Sequence, residues 1–401
     1  MKKYFIFAAS ALALASCSSD DYLGGENLGN ENGTSNAINF AGATGKITRA
    51  DKVKEGPDAA ELLNKEFVVY GYKTTGETKS TVYDYYTIRY NGQVNQAEGN
   101  TKGWRYVGLT RNILSDNKKE NDQSIKYWDY SASQYDFIAF SLGKQKDNQT
   151  KDDNEDYSKV KVSTITTEGE DAPKYTITGS VVNLEKCYIA DRVTAKQTLS
   201  ENEQNKKNLI VAYKDDVQFN FRSLATKVRL GLYETIDGYS VKDVKFYTDA
   251  NTKAETNNPF LYATDKTIPT SDGKGTMTIA FGSNEATATD FNQAKATWAA
   301  AEGTENSSNI TFGELALKDK QSQEKTGTKF LGRSSATNEV SITPYQITLP
   351  GTTVGALTLK VDYTLESIDG SGEEIGSLEK VCGYRSTIKI LFCPFIKLNN
   401  G

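Results

Sequence analysis

Apolar and polar residues alternate with a period of two along most of the chain beyond residue 37. Leu357, Leu359, Val361, Tyr363 and Leu365 carry the alternation without a break, and Val228, Leu230 and Leu232 repeat it around Arg229 and Gly231. Successive strand residues point to opposite faces, so this pattern predicts strands with one buried face. Further strands are predicted over residues 66–72, 81–90, 125–130, 135–142, 173–184, 216–221, 241–248, 275–281, 340–349 and 385–398, separated by Gly, Asn and Asp. The 23 tyrosines suit such surfaces. Helical periodicity is rare. Residues 290–302 show it best, with Thr289 as N-cap, Phe291, Ala294 and Trp298 on one face and Gly303 placed to end the helix. A second short helix is predicted to start at Pro57, a residue that suits the first helical position. A parallel sheet needs a helix for nearly every strand, so this balance predicts an all-β, mainly antiparallel sandwich architecture with few short helices.

A chain of 401 residues is long enough for two domains, each with its own core. The polar stretch at 198–208 (TLSENEQNKKN) is the predicted boundary, giving an N-terminal domain over 37–205 and a C-terminal domain over 206–401. Residues 144–157 and 318–327 read as solvated loops.

The N-terminus has a different pattern. Lys2 and Lys3 precede a short apolar run that closes on Leu14, Ala15, Ser16 and Cys17. The run is too short to span a bilayer, which takes about 20 apolar residues, and has the basic start and small-residue end of a cleaved export signal. Cysteine directly behind the small residues predicts a lipoprotein signal over 1–16, with Cys17 lipidated and the mature chain held at a membrane. The competing reading is an ordinary secretory signal that happens to contain a cysteine. Residues 17–36 have almost nothing to bury and read as a disordered tether. Asp20 and Asp21 within it resemble the surface-export signal of Bacteroidota lipoproteins. An outer-membrane lipoprotein exposed at the cell surface is therefore expected.

Formal charge is −5, and −7 once Lys2 and Lys3 leave with the signal, with basic residues scattered among acids, so nucleic acid is not an expected partner. Three cysteines remain after Cys17, too few for a disulfide framework, and Cys382 and Cys393 in apolar sequence read as small hydrophobes. The chain has no histidine, which removes Ser-His and Cys-His nucleophile pairs and His-ligated metals. Carboxylate catalysis stays open among the 52 acids, but a carboxylate pair is made in space and has no local signature; no enzyme activity, cofactor or metal is expected. The segment 42–48 (GATGKIT) lacks the spacing of a phosphate loop, and the acids at 152–156 lack the glycine and final glutamate of a calcium loop. Tyr127, Trp128, Asp129 and Tyr130 form the densest aromatic cluster. Exposed rings would stack on sugars; buried ones would be core, which the alternation through Tyr135, Phe137 and Ile138 favours.

Residues 124–140 (SIKYWDYSASQYDFIAF), 221–230 (FRSLATKVRL), 233–247 (YETIDGYSVKDVKFY) and 47–50 (ITRA) resemble the fimbrillins of Bacteroidota, lipoprotein precursors of type V pili, and their surface-anchored relatives. The resemblance covers nearly all of the mature chain. It implies two transthyretin-like β-sandwich domains, and assembly into a fimbrium by donor-strand exchange with other subunits. An arginine-specific protease would cut between Arg49 and Ala50, freeing a displaced first strand that carries Ile38 and Phe40. The donor would be the last strand, with Ile388, Ile390, Phe392, Ile396 and Leu398 as its apolar stripe. Cys393-Pro394 interrupts that strand, since proline cannot donate to a ladder, and the end at Gly401 looks short for the family; a subunit that accepts a strand but donates poorly would sit at a pilus end as a tip or accessory protein, or would not polymerise at all. The expected function is a structural or adhesive pilus subunit, with host or bacterial surface glycans or proteins as adhesive partners. The alternative is an outer-membrane glycan-binding lipoprotein of a polysaccharide-capture system.

Overall fold

The computed structural model describes residues 36–44, 54–95, 100–111, 123–145, 160–167, 173–205, 209–233, 239–246, 258–263, 273–282, 291–304, 309–319, 329–332, 340–344, 346–349, 356–367 and 386–391. Strands dominate among them, with three short helices at Gly56–Leu62, Val181–Leu184 and Glu201–Gln204. The fold is all-β and mainly antiparallel, as the alternation predicts. The helix expected at Pro57 forms there. By contacts the chain divides into two compact units of interleaved segments. Met1–Gly42, Val68–Ile138 and Val193–Phe219 form the first, and Ala43–Phe67, Ala139–Arg192 and Asn220–Gly401 the second.

In the first unit, Thr78–Tyr90 pairs with Trp104–Arg105, and Gln134–Ser141 pairs through Tyr135↔Ala195 and Phe137↔Val193. Aromatic residues fill its interior: Tyr83, Trp104, Tyr106, Trp128, Tyr135, Phe137 and Phe219 are all buried. Gln123 ties this core together. Its amide donates at 2.8 Å to the carbonyls of Thr87 and Tyr106, and its oxygen accepts from the Thr87 N–H at 2.7 Å. Residues 125–130, expected as a strand, run without a named strand and make one bridge, Ala37↔Tyr127. Part of the polar stretch at 198–208 is the helix Glu201–Gln204. There, hydrogen bonds from Lys196 and Ser200 hold the Glu203 carboxyl down to about 2.

In the second unit, Tyr239–Phe246 pairs with Ala356–Ser367, which also pairs with Phe260–Ala263. A register shift between Lys242 and Lys245 breaks the period of two, so Val241, Val244 and Phe246 all reach one cluster with Leu230, Phe312, Leu315 and Val361. That is the work of a bulge, which admits an extra residue and bends the strand. The strand expected over 340–349 is two short ones, Ser341–Ile342 and Gln346–Thr348, separated by a stretch with Pro344, which has no N–H to give. The segment 173–184 is strand only to Ser180, and Val181–Leu184 is a helical turn. Cys187 is free and buried, and burial pushes its thiol up to about 12; it packs as a small hydrophobe. Cys382 and Cys393 lie outside the described residues.

One element contradicts its sequence pattern. Residues 290–302 were expected as a helix, yet Lys295–Ala300 is a strand, paired antiparallel with Lys274–Ala280 from Lys295↔Ala280 to Ala300↔Gly275. Phe291, Ala294 and Trp298 are buried as the helical spacing demanded, but Trp298 gets there by alternation between exposed Thr297 and exposed Ala299. Gly275 makes room for it. A Cβ on Gly275 would lie 2.3 Å from the Ala299 carbonyl oxygen and 2.7 Å from the Trp298 ring, where backbone cannot yield. Gly275→Ala is therefore expected to cost about 1–3 kcal/mol by overpacking, read as a lower urea midpoint at unchanged slope.

Candidate functional site

The first strand, Phe40–Thr44, is buried at every position, and residues 37–39 leading into it are buried too. It stands at the end of its sheet's strand order with Val217–Ser223 as neighbour. Ile38 and Phe40 share one face by alternation. Phe40 has no exposed surface, and its ring meets Tyr83 at 4.9 Å, Phe137 at 5.5 Å, Tyr106 at 5.7 Å and Phe219 at 6.0 Å between centroids. Three of these contacts are edge-on, the arrangement that the ring quadrupole favours.

Backbone bonds hold the segment in register. The Ile38 N–H donates to Lys126 O at 2.8 Å, the Val217 N–H to Asn39 O at 2.9 Å, and the Trp128 N–H to Asn36 O at 3.2 Å. Tyr106 locks the same point from the side: its hydroxyl donates to Ile38 O at 2.9 Å and accepts from the Lys126 N–H at 3.1 Å. Burial raises its pKa far above that of an ordinary tyrosine, so the hydroxyl keeps its proton and remains a donor. Tyr106→Phe would leave a buried carbonyl and a buried N–H each short of this partner. A loss of about 1–3 kcal/mol is expected, with faster hydrogen exchange at residues 38–40. One polar group already lacks compensation: the Asn39 Oδ1 is buried with no hydrogen-bond partner among the described residues. That group weakens the hold on the strand.

Of the site residues expected from sequence, Ile38 and Phe40 come together on this buried face. The strand itself is Phe40–Thr44, so Ile38 lies just ahead of it, with residues 37–39 held by single bonds and one bridge. Ile388 and Ile390 lie in Ser386–Leu391, opposite Leu359 and Leu357 of Ala356–Ser367. Cys17, Arg49, Ala50, Phe392, Ile396 and Leu398 lie outside the described residues, as do the acids at 152–156. The Tyr106 lock was not foreseen, because its partner is 68 residues away and neither segment marks the pairing.

The aromatic cluster divides. Trp128 is core: it stacks on Tyr213 at 4.7 Å and 12°, and meets Tyr135 edge-on at 5.1 Å. Tyr127 and Tyr130 are instead 43% and 46% exposed. Between them Asp129 pairs with Lys73 at 2.6 Å and accepts from Ser131; burial would raise its pKa, but these bonds outweigh it and lower it. Among the described residues no group of acids, cysteines or histidines could hold a metal ion, and no helix is long and apolar enough to cross a membrane.

No protein-family model and no curated protein matches this chain. The chain is similar to a solved structure from Bacteroides thetaiotaomicron described as a candidate polysaccharide-binding protein. That likeness has 8% sequence identity and a TM-score of 0.25, over 84% of this chain and 78% of the other. So slight a likeness decides nothing about function.

Proposed function

We propose that the protein is a surface lipoprotein of the fimbrillin type, a non-catalytic pilus subunit in which the first strand is a displaceable plug. The supporting observation is that this strand is buried at every position at the end of its sheet's order, while Arg49 and Ala50 follow it within a few residues. A cut there leaves residues 37–44 attached by noncovalent bonds alone. Its departure would open a trough lined by Tyr83, Tyr106, Phe137 and Phe219, with the Lys126 carbonyl and the Val217 N–H unpaired. A strand from another subunit answers both needs, apolar and polar, by β-augmentation. Transthyretin-like sandwiches, the lipid on Cys17 and delivery to the outer membrane belong to the same proposal. The test is to recover the surface-exposed protein and sequence its N-terminus. A start at Ala50 with detergent-resistant multimers supports exchange. Monomers that keep a lipidated Cys17 overturn it.

A second reading, a glycan-binding outer-membrane lipoprotein, is favoured by the exposed rings of Tyr127 and Tyr130 with polar groups between them. Replacing both tyrosines by alanine would abolish retention on a glycan array at unchanged thermal stability. Loss of stability without any glycan bound by the parent protein removes this reading.

A further inference from the structure

A four-stranded sheet lies wholly within the second unit, in the order Lys295–Ala300, Lys274–Ala280, Lys174–Ser180, Lys161–Val162. Its register sorts the side chains into two faces. Tyr175, Ile177, Met277, Ile279 and Trp298 are buried on one. The opposite face consists of lysine, threonine, serine and alanine alone. Thr176, Thr278 and Thr297 stand side by side across three strands, and Lys161, Thr178, Thr276 and Ala299 form the next row across four. Lys174, Ala280 and Lys295 form the row at one end, and Ser180 with Lys274 closes the other. Neighbouring residues in a row are about 4.8 Å apart and successive rows about 7 Å apart, so the lysine rows bracket roughly 20 Å of hydroxyl-bearing surface. Lys161, Lys274, Lys295 and Thr297 are exposed, and the other threonines are half-buried.

Two features of this face need a reason beyond folding. It has no outward acid on these four strands, in a chain with 52 acids and a net charge of −5. It carries no aromatic and no arginine, the residue types in which the hot spots of protein interfaces are enriched. Without aromatics it also has no rings on which nucleobases could stack. What it offers instead is ordered hydroxyls, each both donor and acceptor, beside the exposed ammonium groups of Lys161 and Lys274. Thr178 and Thr276 already hydrogen-bond each other at 2.8 Å, which orients that part of the array.

We infer that this face is a binding site for a linear acidic polysaccharide whose charge is carried by uronic-acid carboxylates. Lys161 and Lys274 take the carboxylates, and the threonine rows take the free ring hydroxyls of the sugars beside them. A heavily sulfated chain would satisfy the lysines but offer few hydroxyls to the threonines, so the polyuronate is the better complement. The site is distinct from the first strand and from Tyr127 and Tyr130, and stands whether or not strand exchange occurs.

The test uses the full chain, titrated calorimetrically with polygalacturonate, dextran sulfate and neutral dextran at low and at raised salt. Polygalacturonate binding that weakens with salt is expected, because exposed charge pairs are screened. The double substitution Lys161→Gln and Lys274→Gln should weaken it about tenfold or more, as loss of charge-assisted hydrogen bonds does. Thr278→Val keeps the shape, removes one hydroxyl and should weaken binding about threefold, with thermal stability unchanged in both variants. Removing Tyr127 and Tyr130 should leave this binding intact, which separates the site from the second reading above. Dextran bound as well as polygalacturonate, dextran sulfate bound more tightly, or variants that bind like the parent would each overturn the inference.

Discussion

Phe40→Ala is expected to destabilise the protein by about 3–5 kcal/mol, the range for removing a fully buried phenylalanine. The upper part of that range applies. The cavity would be walled by Tyr83, Tyr106, Phe137 and Phe219, and Tyr83 and Phe137 lie on paired strands that cannot collapse inward freely. The strand that carries Phe40 is short and its other apolar residues are alanines, with Ile38 just ahead of it, so the loss falls on an element with few other apolar contacts. Urea unfolding should show the midpoint falling at unchanged slope, while Phe40→Leu, which keeps most of the volume, costs under about 1.5 kcal/mol. A loss below about 1 kcal/mol for the alanine variant would mean that the pocket is not the anchor described. The same variant also bears on the plug. If the proposed cleavage after Arg49 occurs, weakening Phe40 should speed release of the segment that carries it, and a rate that does not change would separate the anchor from exchange.

The second large effect is at Trp128. Trp128→Ala should also cost about 3–5 kcal/mol, because the indole is sandwiched between Tyr213 and the edge of Tyr135 and also meets Phe137 at 6.1 Å. Its Nε1 is buried with no hydrogen-bond partner among the described residues, so Trp128→Phe gives up volume but no polar bond and should be much milder. Thermal unfolding of both variants checks this. If Trp128→Ala left stability intact and removed glycan binding, the indole would be a ligand platform and its core role would be refuted.

Much of the architecture was legible along the chain. Glu66–Thr75, Gln134–Ser141, Val217–Ser223 and Lys274–Ala280 fall where alternation put them, since each has one buried and one outward face or lies in a mostly apolar run. Lys295–Ala300 misled because Phe291, Ala294 and Trp298 fit a helical stripe, and alanines around them suit a helix. Pairing with Lys274–Ala280 overrode that preference, as tertiary context does when a strand finds a complete ladder. Val241 and Val244 show the reverse failure: a bulge let both face the core, and a period of two cannot express it.

The site was legible only in halves. Ile38 and Phe40 could be recognised as one apolar face from their spacing, and Trp128 as core from the alternation behind it. By itself the sequence determined the β class, the few helices and the apolar faces, because those depend on residues within one turn or pleat of each other. The tertiary structure alone decided that Tyr106 grips the carbonyl of Ile38 and that Thr178 meets Thr276, partners 68 and 98 residues apart. The physical reason is that contacts between strands are set by which segments pair and in what register. Neither segment records that choice, so it exists only once the chain has folded.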